Sequence, residues 1–257
     1  MTKPLKCKIC NFRMSKVFTK QVLHKYLVSY HHCNHCGYLQ TEPPYWLKEA
    51  YSRPINEEDT GLVSRNITLS RIFAILVATY FEKTGKYLDY AGGYGLFTRL
   101  TRDIGIDCYW QDPYCQNLLA VGFEHHKNVK NYEMLTGFEV LEHLEDPIGE
   151  LKKIFKRTDS FLFSTQIIPK NSDVERWDYL GAEHGQHVSL YSLMSLQKIA
   201  DQLQLNLYSD GIMIHLLTKK KLNNFIYHNI IRFHRYLYLF FSRQFTSRTM
   251  SDHLRLK

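Results

Sequence analysis

Strand-like and helix-like segments alternate along the middle of the chain. Between residues 86 and 166 the pattern predicts, in order, a strand at 86–90, a helix at 96–104, a strand at 107–111, a helix at 115–122, a strand at 132–136, a helix at 148–157 and a strand at 160–166. Such an alternation requires a parallel sheet that helices cover on both faces. The sequence therefore predicts an α/β fold with a doubly wound, mostly parallel sheet.

Further elements flank this sheet. Apolar residues at helical spacing predict a helix over 64–82, and Ser192 begins a predicted helix over 192–203. A strand pair that turns at Asp210-Gly211 follows and completes the sheet. The predicted organisation is a module at 1–42, a connecting helical segment at 43–85, the sheet domain at 86–220 and a helical tail at 221–257.

Four small residues, Ala91, Gly92, Gly93 and Gly95, follow the strand at 86–90. Glycine costs conformational entropy, so this cluster indicates that something approaches the main chain closely. Ligands of such sheets lie beyond the carboxyl ends of the strands, which predicts a nucleotide-like cofactor at this turn. The third glycine of a dinucleotide-binding turn is missing, and so is a phosphate-binding P-loop, which argues against NAD, FAD and ATP.

The spacing Asp89-x-Ala91-x-Gly93-x-Gly95 resembles the D-x-G-x-G-x-G turn of class I S-adenosylmethionine methyltransferases. The resemblance implies a Rossmann-like methyltransferase domain with S-adenosylmethionine against this turn. By the same likeness Asp112, 23 residues after Asp89, accepts hydrogen bonds from the ribose hydroxyls. Ala91 stands where the family usually has its first glycine, and we expect its φ to be negative, because alanine tolerates only that.

A second segment, YEMLTGFEVLEHLEDPIGELKKIFK, resembles the fourth strand and following helix of the same family. The likeness implies that Thr136 to Glu139, including Gly137 and Phe138, line the methionine end of the cofactor. Residues 123–131 look too short for a full third strand, which leaves the adenine contacts unassigned. The predicted cofactor-binding residues are Asp89, Ala91, Gly92, Gly93, Gly95, Asp112, Gly137 and Phe138.

A long polar loop follows the strand at 160–166, and long loops at this sheet edge are usually functional. Methyl transfer mainly needs alignment, and a general base helps when the acceptor is a hydroxyl or a carbon acid. We predict His187, His184, Glu139 and Tyr191 as catalytic residues. Alternatively, each histidine holds the loop in place. His143 is expected to pack or cap locally, and Trp177 and Tyr179 stack on a sugar ring or close a lid.

Two C-x2-C pairs, Cys7 with Cys10 and Cys33 with Cys36, lie in the first forty residues. Two such turns complete a closed tetrahedral shell of four thiolates, which predicts a structural zinc ion. The residues between the pairs suit a short hairpin, so we expect a small zinc-ribbon-like module. Cys108 and Cys115 are predicted to be buried free thiols.

The whole pattern resembles bacterial zinc-knuckle methyltransferases that are related to sugar C-methyltransferases and occur with polysaccharide-biosynthesis genes. This likeness implies a small-molecule acceptor that is a sugar, a nucleotide-sugar or a glycan. It also implies that Asp59, Gly61, Arg65 and Asn66 approach the cofactor or acceptor. Alternatives are an RNA or protein methyltransferase, or a non-catalytic zinc-ribbon protein that binds nucleic acid.

The formal charge of +8 comes from one end of the chain. Residues 219–257 hold nine Lys/Arg and a single acid, Asp252, whereas residues 1–218 hold 24 of each sign. The balanced remainder argues against a specific nucleic-acid partner. The aromatic and basic stretch 221–245 either contacts an anionic membrane surface or packs against the domain or a second subunit. With polar and basic residues after Met1, we expect a cytoplasmic protein, either free or at the membrane periphery.

Overall fold

The computed structural model describes residues 5–52, 59–126, 128–170 and 173–257. Parts of the predicted segments at 1–42, 43–85 and 123–131, and of the loop after 166, therefore lie outside the described residues. The strands are β1 (Ser15–Val22), β2 (Tyr26–His32), β3 (Leu39–Thr41), β4 (Lys86–Tyr90), β5 (Asp107–Gln111), β6 (Met134–Phe138), β7 (Ser160–Ser164), β8 (Ser189–Leu190), β9 (Asn206–Ser209) and β10 (Ile214–Thr218). The α-helices are α1 (Leu47–Ala50), α2 (Leu62–Tyr80), α3 (Leu96–Ile104), α4 (Pro147–Ile154), α5 (Leu193–Leu203), α6 (Asn224–Phe241) and α7 (Thr249–Arg255).

The described strands form two sheets. Six of them follow the order β5-β4-β6-β7-β10-β9, and β4 pairs in parallel with both β5 and β6. The other four follow the order β1-β2-β3-β8, with all three pairings antiparallel. The first sheet confirms the predicted α/β fold, and the β1–β2 hairpin confirms the expectation for the segment between the cysteine pairs.

The chain divides into two compact units. One comprises Met1–Asn56, Glu139–Lys153 and Phe163–Leu217, and the other comprises Glu57–Phe138, Ile154–Leu162 and Thr218–Lys257. We call them the N-terminal unit and the glycine-turn unit.

The glycine-turn unit is built around α2, which packs against α3 and α6. The buried ring of Phe73 meets Tyr87 of β4 and Phe97 of α3 edge-on, with centroids 5.2 and 5.4 Å apart. α2 is also long and apolar enough to cross a membrane, with a mean hydropathy of 1.3, but 44% of that stretch is buried inside the protein. A helix of a protein core accounts for this composition.

The N-terminal unit has a core between the β1–β2 hairpin, α1 and the loop around residue 182. Trp46, 2% exposed, lies at its centre, and its indole N–H donates to the Gly185 carbonyl at 2.8 Å. Further buried members of this core are Val22, Val28, Tyr30, Leu39, Leu180, Ala182, Val188 and Leu190. The long polar loop is thus anchored to the N-terminal hairpin.

Local sequence signals place several helix ends. α5 begins after Ser192, as predicted, and Ser192 accepts a hydrogen bond from Ser195 N–H in a capping box. Asn223 caps α6 by accepting from the N–H groups of Phe225 and Ile226. α3 has the predicted bounds and begins after Gly95, which has a left-handed backbone.

The predicted helix at 115–122 is wrong, because these residues form turns and bends. The Tyr94 carbonyl accepts from the N–H groups of Leu118 and Leu119, and Asn117 accepts from Ala120 N–H, so the backbone donors are used in non-helical bonds. Leu118 and Leu119 are about half exposed, at 52% and 47%, and provide no buried stripe. Among the described residues of 123–131, a parallel bridge from Trp110 to Glu124 takes the place of a third strand, in agreement with the shortness of this segment.

Candidate active site

The turn after β4 has three left-handed residues. The φ angles are +56° at Ala91, +54° at Gly93 and +85° at Gly95. The expected negative φ at Ala91 is wrong, since the turn has the conformation that a glycine would adopt. An L-residue there carries a backbone cost of about 1–2 kcal/mol.

Two glycines of the turn are required by the protein's own packing. A Cβ at Gly92 would lie 2.5 Å from Asp89 Oδ2 and 2.8 Å from Trp110 Cδ1. A Cβ at Gly95 would lie 2.8 Å from Asn117 Oδ1. The main chain of residues 91–93 is nevertheless half-buried rather than covered, so it stays accessible to a ligand.

Asp112 lies beside this turn. Its Oδ2 accepts from Gly93 N–H at 2.9 Å, and its Oδ1 accepts from Tyr114 and Cys115 N–H at 2.7 and 2.9 Å. The sequence placed turn and carboxylate together, and the structure joins them by a direct hydrogen bond. A carboxylate has about four acceptor positions, so capacity for a further donor remains.

Asp89 is an internal anchor. It is 2% exposed and accepts hydrogen bonds from Thr98 Oγ1 at 3.2 Å and Thr136 Oγ1 at 3.1 Å. Burial raises its pKa to about 7, against the opposing effect of the two threonines. Asp89 therefore fixes the end of β4 to α3 and β6.

The other two predicted cofactor residues lie at the end of β6. Gly137 is buried, and a Cβ there would lie 2.7 Å from Phe161 Cζ. Phe138 is half-buried, and its ring meets Phe97 at 4.8 Å. In the segment before α2, Asp59 accepts two bonds from the Arg65 guanidinium, at 3.1 and 2.6 Å. Gly61 caps α2, and Asn66 Nδ2 donates to the Leu62 carbonyl at 2.8 Å.

In the N-terminal unit, Glu139 has a strained backbone with φ +53°. Its N–H donates to Ser164 Oγ at 2.9 Å, and Ser164 Oγ donates back to Glu139 Oε1 at 2.6 Å. Non-glycine residues in this conformation cluster at functional sites. Glu139 is thus held in one orientation at the point where β6 ends.

Tyr179 links Glu139 to a second carboxyl group. Its hydroxyl lies 3.2 Å from Glu139 Oε2 and makes a short hydrogen bond to Glu142 Oε1. Glu142 is 0% exposed, and its Oε2 has no hydrogen-bond partner among the described residues. Burial, followed by the charge of Glu139, raises the pKa of Glu142 well above its ordinary value.

Three imidazoles adjoin these carboxyl groups. The His187 ring lies 4.9 Å from His143 and 4.7 Å from His184, centroid to centroid. His187 Nδ1–H donates to the Tyr179 carbonyl at 2.6 Å, which leaves the lone pair on Nε2. Burial, reinforced by His184, lowers the pKa of His187 to about 3, and burial also lowers the pKa of His143.

The structure therefore brings Glu139, His184 and His187 of the predicted catalytic set together. Tyr191 is fully buried, and its hydroxyl donates to the Leu141 carbonyl at 2.9 Å. Trp177 lies next to Tyr179, with ring centroids 5.2 Å apart.

Sequence reasoning did not assign Glu142 to the cluster and gave His143 and Tyr179 other roles. The available signal was the spacing Glu139-x-x-Glu142-His143. A one-turn 3-10 helix at Leu141–His143 follows the strand tip and brings its polar residues to one place.

The four predicted metal-binding cysteines also meet in the N-terminal unit. The Sγ–Sγ distances are 3.6 Å for Cys7–Cys36, 3.4 Å for Cys10–Cys33 and 3.5 Å for Cys10–Cys36. Four sulfurs on one zinc ion, each about 2.3 Å from it, lie about 3.8 Å apart. The cluster has nearly the required dimensions, and Ile9 N–H donates to Cys7 Sγ at 3.4 Å.

Comparison with known proteins identifies the family. The solved structures that resemble this chain include the plantazolicin methyltransferase BpumL in complex with SAH, at 11% identity and TM-score 0.46 over 68% of this chain and 96% of that one. They also include a SAM-dependent methyltransferase from Thermotoga maritima, described as a possible histamine N-methyltransferase, at 15% identity and TM-score 0.48 over 68% of this chain and all of that one. No curated protein matches the chain. A family model described as a methyltransferase domain matches residues 65–210. Because this match spans more than half of the 257 residues, the chain belongs to the methyltransferase-domain family and is a methyltransferase.

Proposed function

We propose that this methyltransferase uses S-adenosylmethionine and that the turn at residues 91–95 holds it. The observation that carries the proposal is the hydrogen bond from Gly93 N–H to Asp112, which fixes a carboxylate against accessible main chain. The cofactor supplies an activated methyl group on a sulfonium and carries no phosphate, so bare backbone and one acid suit it. Ala91, Gly93 and Asp112 would contact it. The half-buried Gly92 and the buried Asp89, Gly95 and Gly137 would form the surrounding binding site.

Isothermal titration with S-adenosylmethionine tests this assignment. We expect saturable binding by the wild type and at least about tenfold weaker binding by Asp112→Ala, because about 1.4 kcal/mol corresponds to a factor of ten. Asp103→Ala, at the exposed end of α3, is the matched control and should bind normally. A folded wild type that shows no saturable binding would overturn the proposal.

We propose a sugar-containing acceptor: a sugar, a nucleotide-sugar or a glycan in polysaccharide biosynthesis. The support is the sequence likeness, together with a concentration of hydrogen-bonding groups at Glu139, Tyr179 and His187, which suits hydroxyl-rich molecules. Incubation with labelled S-adenosylmethionine and fractionated cell extract tests it. We expect the label in nucleotide-sugars or glycans. Label in RNA or protein would contradict the sugar-containing acceptor but not the methyl transfer itself.

We propose that Glu139, His184 and His187 bind the acceptor. His187 would accept a hydrogen bond from it, and Glu139 or His184 would receive its proton, because a pKa of about 3 makes His187 a weak base. The lone pair on His187 Nε2 and the fixed carboxylate of Glu139 are the groups that support this role. Tyr191 is proposed as a positioning residue, because it holds the carbonyl next to Glu142. With the acceptor identified, His184→Gln should lower kcat by about 10²- to 10⁴-fold with little change in KM for the cofactor. Tyr191→Phe should lower kcat less, and equal effects of both would contradict the distinction.

We propose that the four cysteines bind one structural zinc ion. A closed shell of thiolates has no open position for chemistry, and thiolates are stable ligands in a reducing compartment, which supports a cytoplasmic location. Elemental analysis of purified protein should find this zinc in the wild type and in Cys115→Ser but not in Cys33→Ser. Retention by Cys33→Ser would reject the site.

We propose that residues 221–245 contact an anionic membrane surface. Along α6 the exposed side chains include Phe225 at 77%, Tyr236 at 72% and Phe240 at 69%, and Arg232 and Arg235 lie among them. Apolar rings with interspersed cations suit a surface of anionic lipid. In a flotation assay, the wild type should rise with vesicles that contain phosphatidylserine. The double variant Phe225→Ser, Phe240→Ser should stay in the vesicle-free fraction. If the wild type floats equally well with vesicles of phosphatidylcholine alone, the proposed attraction to anionic lipid is contradicted.

A further inference from the structure

Glu142, His143 and His187 each present one ligand atom, and these atoms all lie within 4.8 Å of one another. We propose that these three residues bind a divalent transition-metal ion, separate from the ion at the four cysteines. The site lies wholly within the N-terminal unit.

The first argument is the carboxyl group of Glu142. It is 0% exposed, and Oε1 accepts from Tyr179 while Oε2 has no partner in the described part of the chain. A buried polar atom without a partner costs about 1–3 kcal/mol, and more when it is charged. A cation at Oε2 removes this cost and compensates the second nearby carboxyl group, Glu139.

The second argument is the arrangement of the imidazoles. A metal-binding histidine usually donates its other ring N–H to a carbonyl or another polar group, which fixes the tautomer. His187 Nδ1–H donates to the Tyr179 carbonyl at 2.6 Å, so its Nε2 lone pair is directed away from that bond. His143 Nδ1 is 3.1 Å from Tyr51 Oη, and a donation to that oxygen leaves Nε2 of His143 as the ligand.

The dimensions are compatible with one ion. Two ligand atoms that are each about 2.1 Å from a metal lie at most about 4.2 Å apart. The widest pair here is within 4.8 Å, so a side-chain movement of a fraction of an ångström brings all three ligand atoms to bonding distance of one ion. His143 and His187 are both half-buried residues.

Two imidazoles and one carboxylate suit zinc, iron or manganese, with positions left for a ligand. Bound there, such an ion lowers the pKa of a coordinated hydroxyl group. This use rests on the proposed hydroxyl acceptor, and it would make His187 a ligand of the ion instead of a hydrogen-bond acceptor, with Glu139 or His184 receiving the proton. Binding of the ion itself does not depend on any acceptor.

Titration of the full chain with Mn²⁺ alone, followed by the electron paramagnetic resonance signal of the free ion, tests the site. Manganese prefers oxygen and nitrogen ligands, so the thiolate cluster does not compete strongly. We expect one saturable Mn²⁺ in the wild type and at least about tenfold weaker binding by Glu142→Gln and by His187→Gln. His228→Ala, at an exposed position on α6, should bind like the wild type.

Circular dichroism shows whether each variant is folded. If Glu142→Gln is unfolded, the variant His187→Gln, at a half-buried residue, still tests the site. Absence of saturable Mn²⁺ binding by the wild type, or unchanged binding by both folded variants, would overturn the proposal. Because no cofactor or acceptor is present, these results are independent of the titration with S-adenosylmethionine.

Discussion

At the scale of single residues, the glycine turn contains an alanine in a glycine conformation. Ala91 has φ +56°, which places its Cβ against its own carbonyl. The rest of the turn imposes this conformation through the bonds of Gly93 to Asp112 and Trp110. The strain is thus a property of the fold and is present before any ligand arrives.

Ala91→Gly should therefore raise the free energy of unfolding. Relief of about 1–2 kcal/mol of backbone strain exceeds the added entropy of the unfolded chain, about 0.4–1 kcal/mol, so a net gain of about 0.5–1 kcal/mol is expected. Urea denaturation measures it. Gly95→Ala is the matched control and should destabilise, since φ is +85° and a Cβ would meet Asn117. Destabilisation by Ala91→Gly would contradict the strain argument.

Asp89 makes stability depend on pH. Its pKa in the folded protein is raised from 3.8 to about 7, so between about pH 4 and 7 the folded state holds a proton that the unfolded state has lost. The free energy of unfolding should therefore fall as the pH rises through this window. Asp89→Asn, which stays neutral, should remove this part of the slope in urea denaturation at several pH values. If the free energy of unfolding changes equally with pH in both proteins, Asp89 does not cause the pH dependence.

At the scale of elements, α7 is fastened to the glycine-turn unit by a buried ion pair. Arg102, 1% exposed, donates from Nε and Nη2 to the two oxygens of Asp252 at 2.8 and 2.7 Å. Its Nη1 donates to Asp107 at 2.8 Å. A two-pronged contact of this kind fixes both position and orientation of the helix.

Asp252→Ala should lower the free energy of unfolding by about 2–3 kcal/mol. Removal of one partner of a buried pair costs about 3–5 kcal/mol, and Asp107 still compensates part of the Arg102 charge. Asp103→Ala removes the exposed partner of Arg99 instead and should cost less than about 1 kcal/mol. Thermal and urea denaturation compare the two variants. If both lower the free energy of unfolding equally, the buried ion pair does not stabilise the protein more than the exposed one.

At the scale of the whole molecule, zinc should control stability through the N-terminal unit. The β1–β2 hairpin lies between the two cysteine pairs, and its residues Val22, Val28 and Tyr30 belong to the core around Trp46. Loss of the proposed ion would release the base of that hairpin. A zinc chelator should therefore lower the melting temperature, and added zinc should restore it, as binding to the folded state alone requires. Scanning fluorimetry checks this, with Cys33→Ser expected to be insensitive to the chelator.

The sequence predicted those parts that depend on local pattern. The bounds of α3, the cap at Ser192 and the meeting of four cysteines follow from spacing along the chain, and the proximity of Gly93 to Asp112 follows from the family resemblance. The helix at 115–122 failed because the chain there satisfies its backbone through Tyr94 and Asn117. Glu142 stayed unassigned because its burial beside Tyr179 depends on a contact over 37 residues, which periodicity does not contain.

The helix cap at Ser192 also connects the N-terminal cysteines to the long polar loop. The Ser192 hydroxyl, which caps α5, donates to the Cys36 carbonyl at 2.6 Å, and the adjoining Tyr191 holds the carbonyl beside Glu142. Removing the residues before 43 would remove the partner of Ser192 and, with it, Tyr38, whose ring lies 5.3 Å from that of Tyr191. The first forty residues therefore support the loop that carries Tyr191. A protein without them should lose methyltransferase activity even if its cofactor-binding turn is intact.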